Sequence, residues 1–123
     1  MIRNGIHGAH IMVVGGAGFI GSHLVDRLLS EGAAHIAVID NLFVGSEDNL
    51  TEVLASGRVT FYRDDAEFTP SLDYIFAKHP IDTVFNCATK ALNYSFVNPA
   101  NAFDTNVRVV LNLLEAQRKG AFK

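Results

Sequence analysis

Four short apolar runs rich in β-branched residues alternate along the chain with longer segments in which apolar residues recur every three or four positions. Runs of the first kind are typical of buried parallel strands, and segments of the second kind are typical of amphipathic helices. The pattern predicts strands at 10–14, 35–39, 58–62 and 82–86. It predicts helices from about 18 to 31, 46 to 55, 70 to 78 and 99 to 119. Such alternation predicts an α/β fold, a parallel sheet with helices on both faces, because crossovers between parallel strands are right-handed.

Two of the predicted helices carry pronounced apolar stripes. In the first helix the stripe consists of Phe19, Ile20, Leu24, Val25, Leu28 and Leu29. In the last helix it consists of Phe103, Val107, Val110, Leu111 and Leu114. A stripe of this kind is the face that an amphipathic helix turns toward a core.

The first strand runs directly into three evenly spaced glycines, Gly15, Gly18 and Gly21, which open the first helix. A strand-to-helix turn of this kind directs free backbone N–H groups and the positive end of the helix dipole at whatever lies in front of it. Gly15 permits the tight turn, Gly18 leaves room for a pyrophosphate, and Gly21 lets the helix pack closely on the strand. The strand before and the helix after the glycines favour a dinucleotide site over an ordinary glycine turn. A Walker loop is excluded, because no Gly-Lys-Ser/Thr follows.

An acidic residue, Asp40, ends the second apolar run about 20 residues after the glycines, as the dinucleotide fingerprint requires. Its carboxylate can accept hydrogen bonds from both hydroxyls of an adenosine ribose and repels a 2′-phosphate, which favours NAD over NADP. The alternative is an aspartate that only stabilises the turn after the strand. Asp64 and Asp65 follow the third strand, where a carboxylate can accept a hydrogen bond from an adenine amino group. A loop aspartate without a ligand is the alternative there.

Composition excludes several classes of site. The 123 residues are 49% hydrophobic and 19% charged, which suits one packed domain. A formal net charge of −3, without a cluster of Lys and Arg, argues against nucleic-acid binding. No apolar run is long enough to span a membrane, and the polar lead-in at 1–9 has no signal-peptide core.

The single cysteine, Cys87, excludes an intrachain disulfide and favours a reducing, cytoplasmic location. We expect it to be a small core residue rather than a nucleophile, because no base is evident beside it. The five histidines show no metal-ligand spacing, so no metal is expected.

Four motifs resemble those of one family. They are G-G-A-G-F-I-G-S-H-L at 15–24, V-I-D-N-L-F-V-G-S-E-D-N-L at 38–50, D-T-V-F-N-C-A-T at 82–89, and N-P-A-N-A-F-D-T-N-V-R-V-V-L-N-L-L-E-A at 98–116. They resemble the extended short-chain dehydrogenases and, within these, the NAD-dependent epimerase/dehydratase branch, which acts mostly on nucleotide sugars. The resemblance implies a Rossmann-type sheet, NAD as cofactor and a nucleotide sugar as substrate of the complete enzyme.

The resemblance also implies which residues contact NAD. It assigns the pyrophosphate to Gly15, Gly18, Phe19 and Ile20, and the ribose to Asp40, with Asn41, Val44, Gly45 and Ser46 around the adenosine. It assigns the adenine to Asp64 and Asp65, and the middle of the cofactor to Cys87, Ala88 and Thr89. Asn106 matches an asparagine that helps to position the catalytic half. The sequence departs from the family at Asn86, where histidine is common, and at Thr89 and Lys90, which replace alanine.

The acid–base chemistry of the family needs a Tyr-x-x-x-Lys pair after a fifth strand, and the sequence ends before such a strand. Tyr74 and Lys78 have the spacing, but they lie on the predicted helix between the third and fourth strands, outside the required context. We therefore expect residues 1–123 to be the NAD-binding domain of such an enzyme, truncated after about four strands and inactive by itself. The catalytic half and the substrate domain would then be absent. A stand-alone NAD-binding sensor or regulatory module is the alternative.

The fourth predicted strand would form an open edge of the sheet. Its sequence, D-T-V-F-N at 82–86, is apolar and contains no proline or lysine that would block pairing with another strand. We therefore expect a homodimer or other self-association, through this edge or through the face of the last helix.

Overall fold

The computed structural model describes residues 5–123, which form one four-stranded parallel sheet flanked by helices. The polar lead-in expected at 1–9 lies in part outside the described residues. In chain order the elements are β1 (His10–Val14), α1 (Phe19–Ser30), β2 (His35–Asp40), α2 (Thr51–Leu54), β3 (Val59–Arg63), α3 (Thr69–Lys78), β4 (Thr83–Asn86), α4 (Leu92–Val97) and α5 (Pro99–Arg118). A short 3-10 helix, Glu47–Leu50, leads into α2.

Every predicted strand and helix is confirmed to within one residue at each end, counting the 3-10 helix with α2. The one helix that the sequence pattern did not predict is α4, which follows β4 directly. The strand order is β3-β2-β1-β4. The sheet therefore grows outward in both directions from β1, and the switch point lies between β1 and β4.

Helices cover both faces of the sheet, which confirms the Rossmann-type class. Ile11 and Val13 of β1 point to one face, Met12 and Val14 point to the other, and all four are at most 1% exposed. Burial of each such side chain stabilises the fold by about 1.5–3 kcal/mol. On the first face they pack with Val25 and Leu28 of α1 and Val53 of α2. On the second face they pack with Leu72 and Ile75 of α3 and Val109 and Leu113 of α5.

The predicted apolar stripe of α5 is not the buried face of this helix. Phe103, Val107, Val110, Leu111 and Leu114 are all exposed, whereas Ala102, Thr105, Val109, Asn112 and Leu113 are buried. Asn112 helps to fix this orientation, because its amide donates to the carbonyls of Ala66 at 3.0 Å and Glu67 at 2.9 Å. This helix carries apolar residues on two faces, and the periodicity of the sequence predicted burial of the wider face.

The prediction that the apolar stripe of α1 faces the core is correct only beyond the first turn of the helix. Val25 and Leu28 are buried, but Phe19 is 80% exposed and Ile20 is 73% exposed. Gly21 and Ser22 face the sheet in their place. The side chains of Phe19 and Ile20 are therefore left uncovered by the core.

The registers of the strands bring their carboxyl ends to one edge. Val14 of β1 pairs with Ile39 of β2 on one side and with Asn86 of β4 on the other. The segments that follow these three residues, which include the glycine turn, Asp40 and Cys87, therefore meet above the switch point. Within residues 5–123, no helix combines the length and apolar character needed to cross a membrane.

Candidate dinucleotide-binding groove

The glycine turn is built as the sequence predicts. Gly15 has a φ of +76°, and a Cβ placed on it would lie 2.7 Å from the backbone nitrogen of Ala88. This residue must therefore be glycine both for the turn and for the close approach of the segment after β4. A Cβ on Gly21 would lie only 2.1 Å from the carbonyl oxygen of Gly15, so α1 packs against the turn without a side chain between them.

Gly18 has a different role, since the protein itself leaves room at this position. A Cβ there would meet nothing closer than the carbonyl oxygen of Gly15 at 3.5 Å. Gly18 is the N-cap of α1, and no side chain caps the first-turn amides of that helix. A helix N-terminus of this kind favours anions. The space that a side chain of Gly18 would fill is part of the groove.

Two further glycines, Gly16 and Gly45, support the same turn, although they are not among the three evenly spaced ones. A Cβ on Gly16 would lie 2.6 Å from Cγ1 of Val38, and one on Gly45 would lie 2.7 Å from the carbonyl carbon of Ala17. The loop after β2 is thereby held on the glycine turn, and the backbone N–H of Ser46 donates to the carbonyl of Ala17 at 3.1 Å. The Ser46 hydroxyl accepts from the N–H of Asp48 at 3.3 Å, so it caps the 3-10 helix.

Asp40 stabilises the turn after β2 and also lines the groove. Its Oδ2 accepts from the N–H of Ala17 at 2.9 Å, and its Oδ1 accepts from the N–H of Leu42 at 2.8 Å. The second contact stabilises Leu42 at a φ of 61°, a conformation that non-glycine residues rarely adopt. The half-buried carboxylate also lines the groove. A carboxylate oxygen offers two acceptor sites, so each can still accept one more hydrogen bond.

The acidic pair after β3 closes one end of the groove. The N–H of Asp64 donates to the carbonyl of Asp40 at 3.2 Å, which joins the ends of β3 and β2. Asp65 accepts at Oδ1 from the N–H of Glu67 at 2.8 Å and at Oδ2 from the amide of Asn41 at 3.4 Å. The groove therefore presents carboxylates at this end.

The opposite wall follows β4 and is fixed by one side chain of α5. The Oδ1 of Asn106 accepts from the N–H of Lys90 at 2.8 Å, and its Nδ2 donates to the carbonyl of Lys90 at 3.0 Å. Thr89 reaches the same Oδ1 with its hydroxyl at 3.4 Å. Burial raises the pKa of the Cys87 thiol, which keeps it protonated at neutral pH and supports its reading as a small residue of the groove floor.

Among the groove residues that the sequence did not predict, Thr105 is a polar one. Thr105 is only 7% exposed and lines the groove, and its hydroxyl has no hydrogen-bond partner within residues 5–123. An unpartnered buried hydroxyl destabilises a protein unless a ligand or water completes it. The sequence pattern could not reveal Thr105 as a groove residue, because its position depends on which face of α5 packs against the sheet.

The structure brings together most of the predicted site residues. The groove is lined by eleven of the fifteen, namely Gly15, Gly18, Asp40, Asn41, Val44, Gly45, Asp64, Asp65, Cys87, Ala88 and Thr89. The remaining four do not line it: Phe19 and Ile20 are exposed on the first turn of α1, Gly21 lies behind the turn, and Ser46 caps the 3-10 helix. Tyr74 and Lys78 are hydrogen-bonded to each other at 3.2 Å on α3, and neither lines the groove. No group of three or more metal-binding side chains occurs in the part of the chain that the structure describes.

Comparisons with known proteins agree with this architecture. The family model described as "NAD dependent epimerase/dehydratase family" matches residues 11–123. A UDP-glucose 4-epimerase of Cyamopsis tetragonoloba is 37% identical over 119 residues, which cover 91% of this chain and 33% of that protein. UDP-glucuronic acid decarboxylase 1 of Arabidopsis thaliana is 37% identical over 114 residues, which cover 90% of this chain and 24% of that protein.

Solved structures give the same result. The Bordetella bronchiseptica enzyme WbmF in complex with NAD+ and UDP superposes with a TM-score of 0.81 at 30% identity, over 98% of this chain and 36% of that one. The chain thus spans between about a quarter and a third of the length of the curated relatives it matches. Because the family model covers nearly the whole chain, this protein belongs to the NAD-dependent epimerase/dehydratase family.

Proposed function

We propose that this chain is the NAD-binding part of an NAD-dependent enzyme that epimerises or dehydrates nucleotide sugars. The observation that carries the proposal is the uncapped N-terminus of α1, which opens beside Gly18 into a groove with Asp40 at its side. The orphaned hydroxyl of Thr105 on the groove wall gives independent support, because it lacks the partner that a polar ligand would provide.

Each part of the groove suits one part of NAD. The first-turn amides from Phe19 to Gly21, with Gly15 and Gly18 beside them, can receive the pyrophosphate. The free acceptor sites of Asp40 suit the two ribose hydroxyls, and Asn41, Val44, Gly45 and Ser46 belong to the loop around the adenosine. Asp64 and Asp65 suit the adenine amino group, and Cys87, Ala88 and Thr89 border the middle of the cofactor. When bound, NAD would supply the hydride acceptor.

Cofactor titration by calorimetry tests the proposal. NAD should bind more tightly than NADP, because a 2′-phosphate would meet the Asp40 carboxylate charge to charge. Asp40→Ala should weaken NAD binding by about 1–3 kcal/mol, since it loses hydrogen bonds to the ribose. Asp73→Ala is the matched control, because this exposed carboxylate on α3 does not line the groove. Equal or tighter binding of NADP would contradict the role of Asp40, and no binding of either would contradict the proposal.

We also propose that the chain by itself has no turnover. Tyr74 and Lys78 are the only residues of the sequence with Tyr-x-x-x-Lys spacing, and neither lines the groove. The expected result of incubation with NAD and a panel of UDP-, dTDP- and GDP-sugars is no product. Sustained conversion that Tyr74→Phe abolishes would contradict this expectation. No specific observation favours the alternative of a sensor module.

Self-association belongs to the same proposal. Phe103, Val107, Val110, Leu111 and Leu114 form an apolar outer face of α5, each 44–66% exposed. A continuous exposed face of this kind favours association with another protein surface. Light scattering should give a mass above that of one chain, and Leu114→Glu should lower it. Phe68→Glu removes an equally exposed aromatic residue outside α5 and should leave the mass unchanged.

A further inference from the structure

A contact between two side chains joins the segment after β2 to the helix after β4, beside the groove that Phe43 and Lys90 line. Phe43 lies in the loop after β2, and Tyr94 lies on α4, which follows β4. In the strand order β3-β2-β1-β4, the strand between β2 and β4 is β1, which ends in the glycine turn. A contact between residues that follow β2 and β4 must therefore span the segment that follows β1.

The contact is an aromatic pair that holds a lysine. The rings of Phe43 and Tyr94 meet edge to face, with their centroids 4.9 Å apart. The ammonium of Lys90 lies 4.6 Å from the centroid of Phe43 and 5.2 Å from that of Tyr94. It also donates to the Oδ1 of Asn101, which accepts from the Tyr94 hydroxyl at 3.1 Å.

The helix that carries Tyr94 packs on α5 but contributes no buried residue. None of the six residues of α4 is buried, and Leu92, Phe96 and Val97 are 73–80% exposed. The ends of the segment are firmly anchored, since Asn106 binds both backbone groups of Lys90 and the Asn98 side chain caps α5. An element with few buried contacts between two fixed points opens at low free energy.

We propose that α4 is a flap over the glycine turn, latched by Tyr94 on Phe43, and that the latch must open before a dinucleotide can enter. The inference rests on the proposed function. A dinucleotide that extends from Asp40 to Thr89 passes over the glycine turn and beside Phe43 and Lys90, the two groove residues on which Tyr94 packs. Entry is then slowed by the fraction of time that the latch is closed.

The association rate constant of NADH, measured by stopped-flow fluorescence, tests the latch. Tyr94→Ala should raise this rate constant about twofold to tenfold, because the aromatic pair is lost. Tyr94→Phe keeps the rings and loses only the bond to Asn101, so its rate constant should lie closer to that of the unaltered chain. Tyr74→Ala removes an exposed tyrosine outside the groove and should change nothing. Circular dichroism establishes that each variant is folded.

The outcomes separate the flap from the proposed function. An unchanged association rate constant in Tyr94→Ala, with NADH still bound, would overturn the flap alone. A rise in the dissociation rate constant alone would also overturn it, because Tyr94 would then act by contacting bound cofactor. Failure of the unaltered chain to bind NADH would overturn the proposed function and this inference together.

Discussion

The two ends of the sheet are finished in opposite ways. At the carboxyl end, turns rich in glycine leave backbone amides and the hydroxyl of Thr105 facing an open groove. At the amino end, imidazole rings fill the corner between the strands and α3. His35 at the start of β2 stacks on His79 with centroids 4.6 Å apart, and His10 at the start of β1 lies 6.3 Å from His35.

The amino end pairs two of its imidazole nitrogens with hydroxyl groups of neighbouring side chains. The Nε2 of His35 lies 2.9 Å from the hydroxyl of Thr60, and the Nε2 of His79 lies 2.7 Å from the hydroxyl of Tyr62. The remaining buried nitrogens, Nδ1 of His10 and of His35, have no hydrogen-bond partner within residues 5–123. Neither His10 nor His35 lines the groove.

The difference between the two ends shows which of them has polar groups available to a ligand. Two threonines make the comparison direct, since Thr60 is paired within the protein and Thr105 is buried without a partner. Pairing stabilises the free chain, whereas an unpaired group gains its partner only when a ligand arrives. The amino end therefore stabilises the fold, and the carboxyl end is prepared for binding.

The largest expected effect is a loss of stability at the carboxyl end of the sheet, where the groove lies. Gly15→Ala would place a methyl group 2.7 Å from the backbone of Ala88 at a φ of +76°, and should destabilise the chain by about 2–5 kcal/mol in urea unfolding. Gly57→Ala is the matched control, because its φ is +74° but nothing lies within 4 Å. It should lose only about 1–2 kcal/mol. Equal losses in both variants would mean that the close approach at Gly15 is unimportant.

A smaller effect separates the two threonines. Thr60→Val should lower the free energy of unfolding by about 1 kcal/mol, because His35 loses its partner, and should leave NADH binding unchanged. Thr105→Val should leave the stability unchanged or raise it slightly. It should weaken NADH binding by about 0.5–1.5 kcal/mol, since the hydroxyl no longer meets the ligand. Urea unfolding and fluorescence titration measure both quantities, and a stability loss in Thr105→Val would contradict the assignment.

The smallest effect is the acid sensitivity of the amino end. Burial first, and then the neighbouring His79 and His10, lower the pKa of His35 below its ordinary value of 6.5. Burial, Lys78 and His10 lower the pKa of His79 in the same direction. The folded chain therefore binds fewer protons than the unfolded chain, so its stability is complete above pH 6.5 and falls as the pH decreases through the lowered values.

Unfolding in urea between pH 8 and pH 5 measures this dependence. The groups that face the cluster are Tyr62 on β3, Tyr74 and Lys78 on α3, and Asp82, whose carboxylate accepts from the backbone N–H of His10 at 2.9 Å. His35→Gln should flatten the loss of stability in acid, whereas His23→Gln, on the exposed face of α1, should not. An identical pH dependence in both variants would contradict the role of the cluster.

Local patterns were sufficient for every strand, for the helices other than α4, and for much of the groove. Each strand is a short run that is apolar on both faces of the sheet, and the glycine spacing needs only local geometry to define a turn before a helix. Asp40 and the segment from Cys87 to Thr89 follow strands directly, so the parallel topology brings them to one edge. These residues could be predicted because their positions depend on sequence neighbours and on the handedness of crossovers.

Tertiary contacts alone determined the orientation of α5 and the contact between Phe43 and Tyr94 beside the groove. The sequence determined that α5 is an amphipathic helix, but the hydrogen bonds of Asn112 with Ala66 and Glu67, more than forty residues away, help to decide which face is buried. That choice places Thr105 in the groove and leaves the wider apolar stripe exposed. The contact between Phe43 and Tyr94 likewise joins segments that are distant in sequence. Helical periodicity reports that a face is apolar, whereas only packing of the whole chain determines what that face meets.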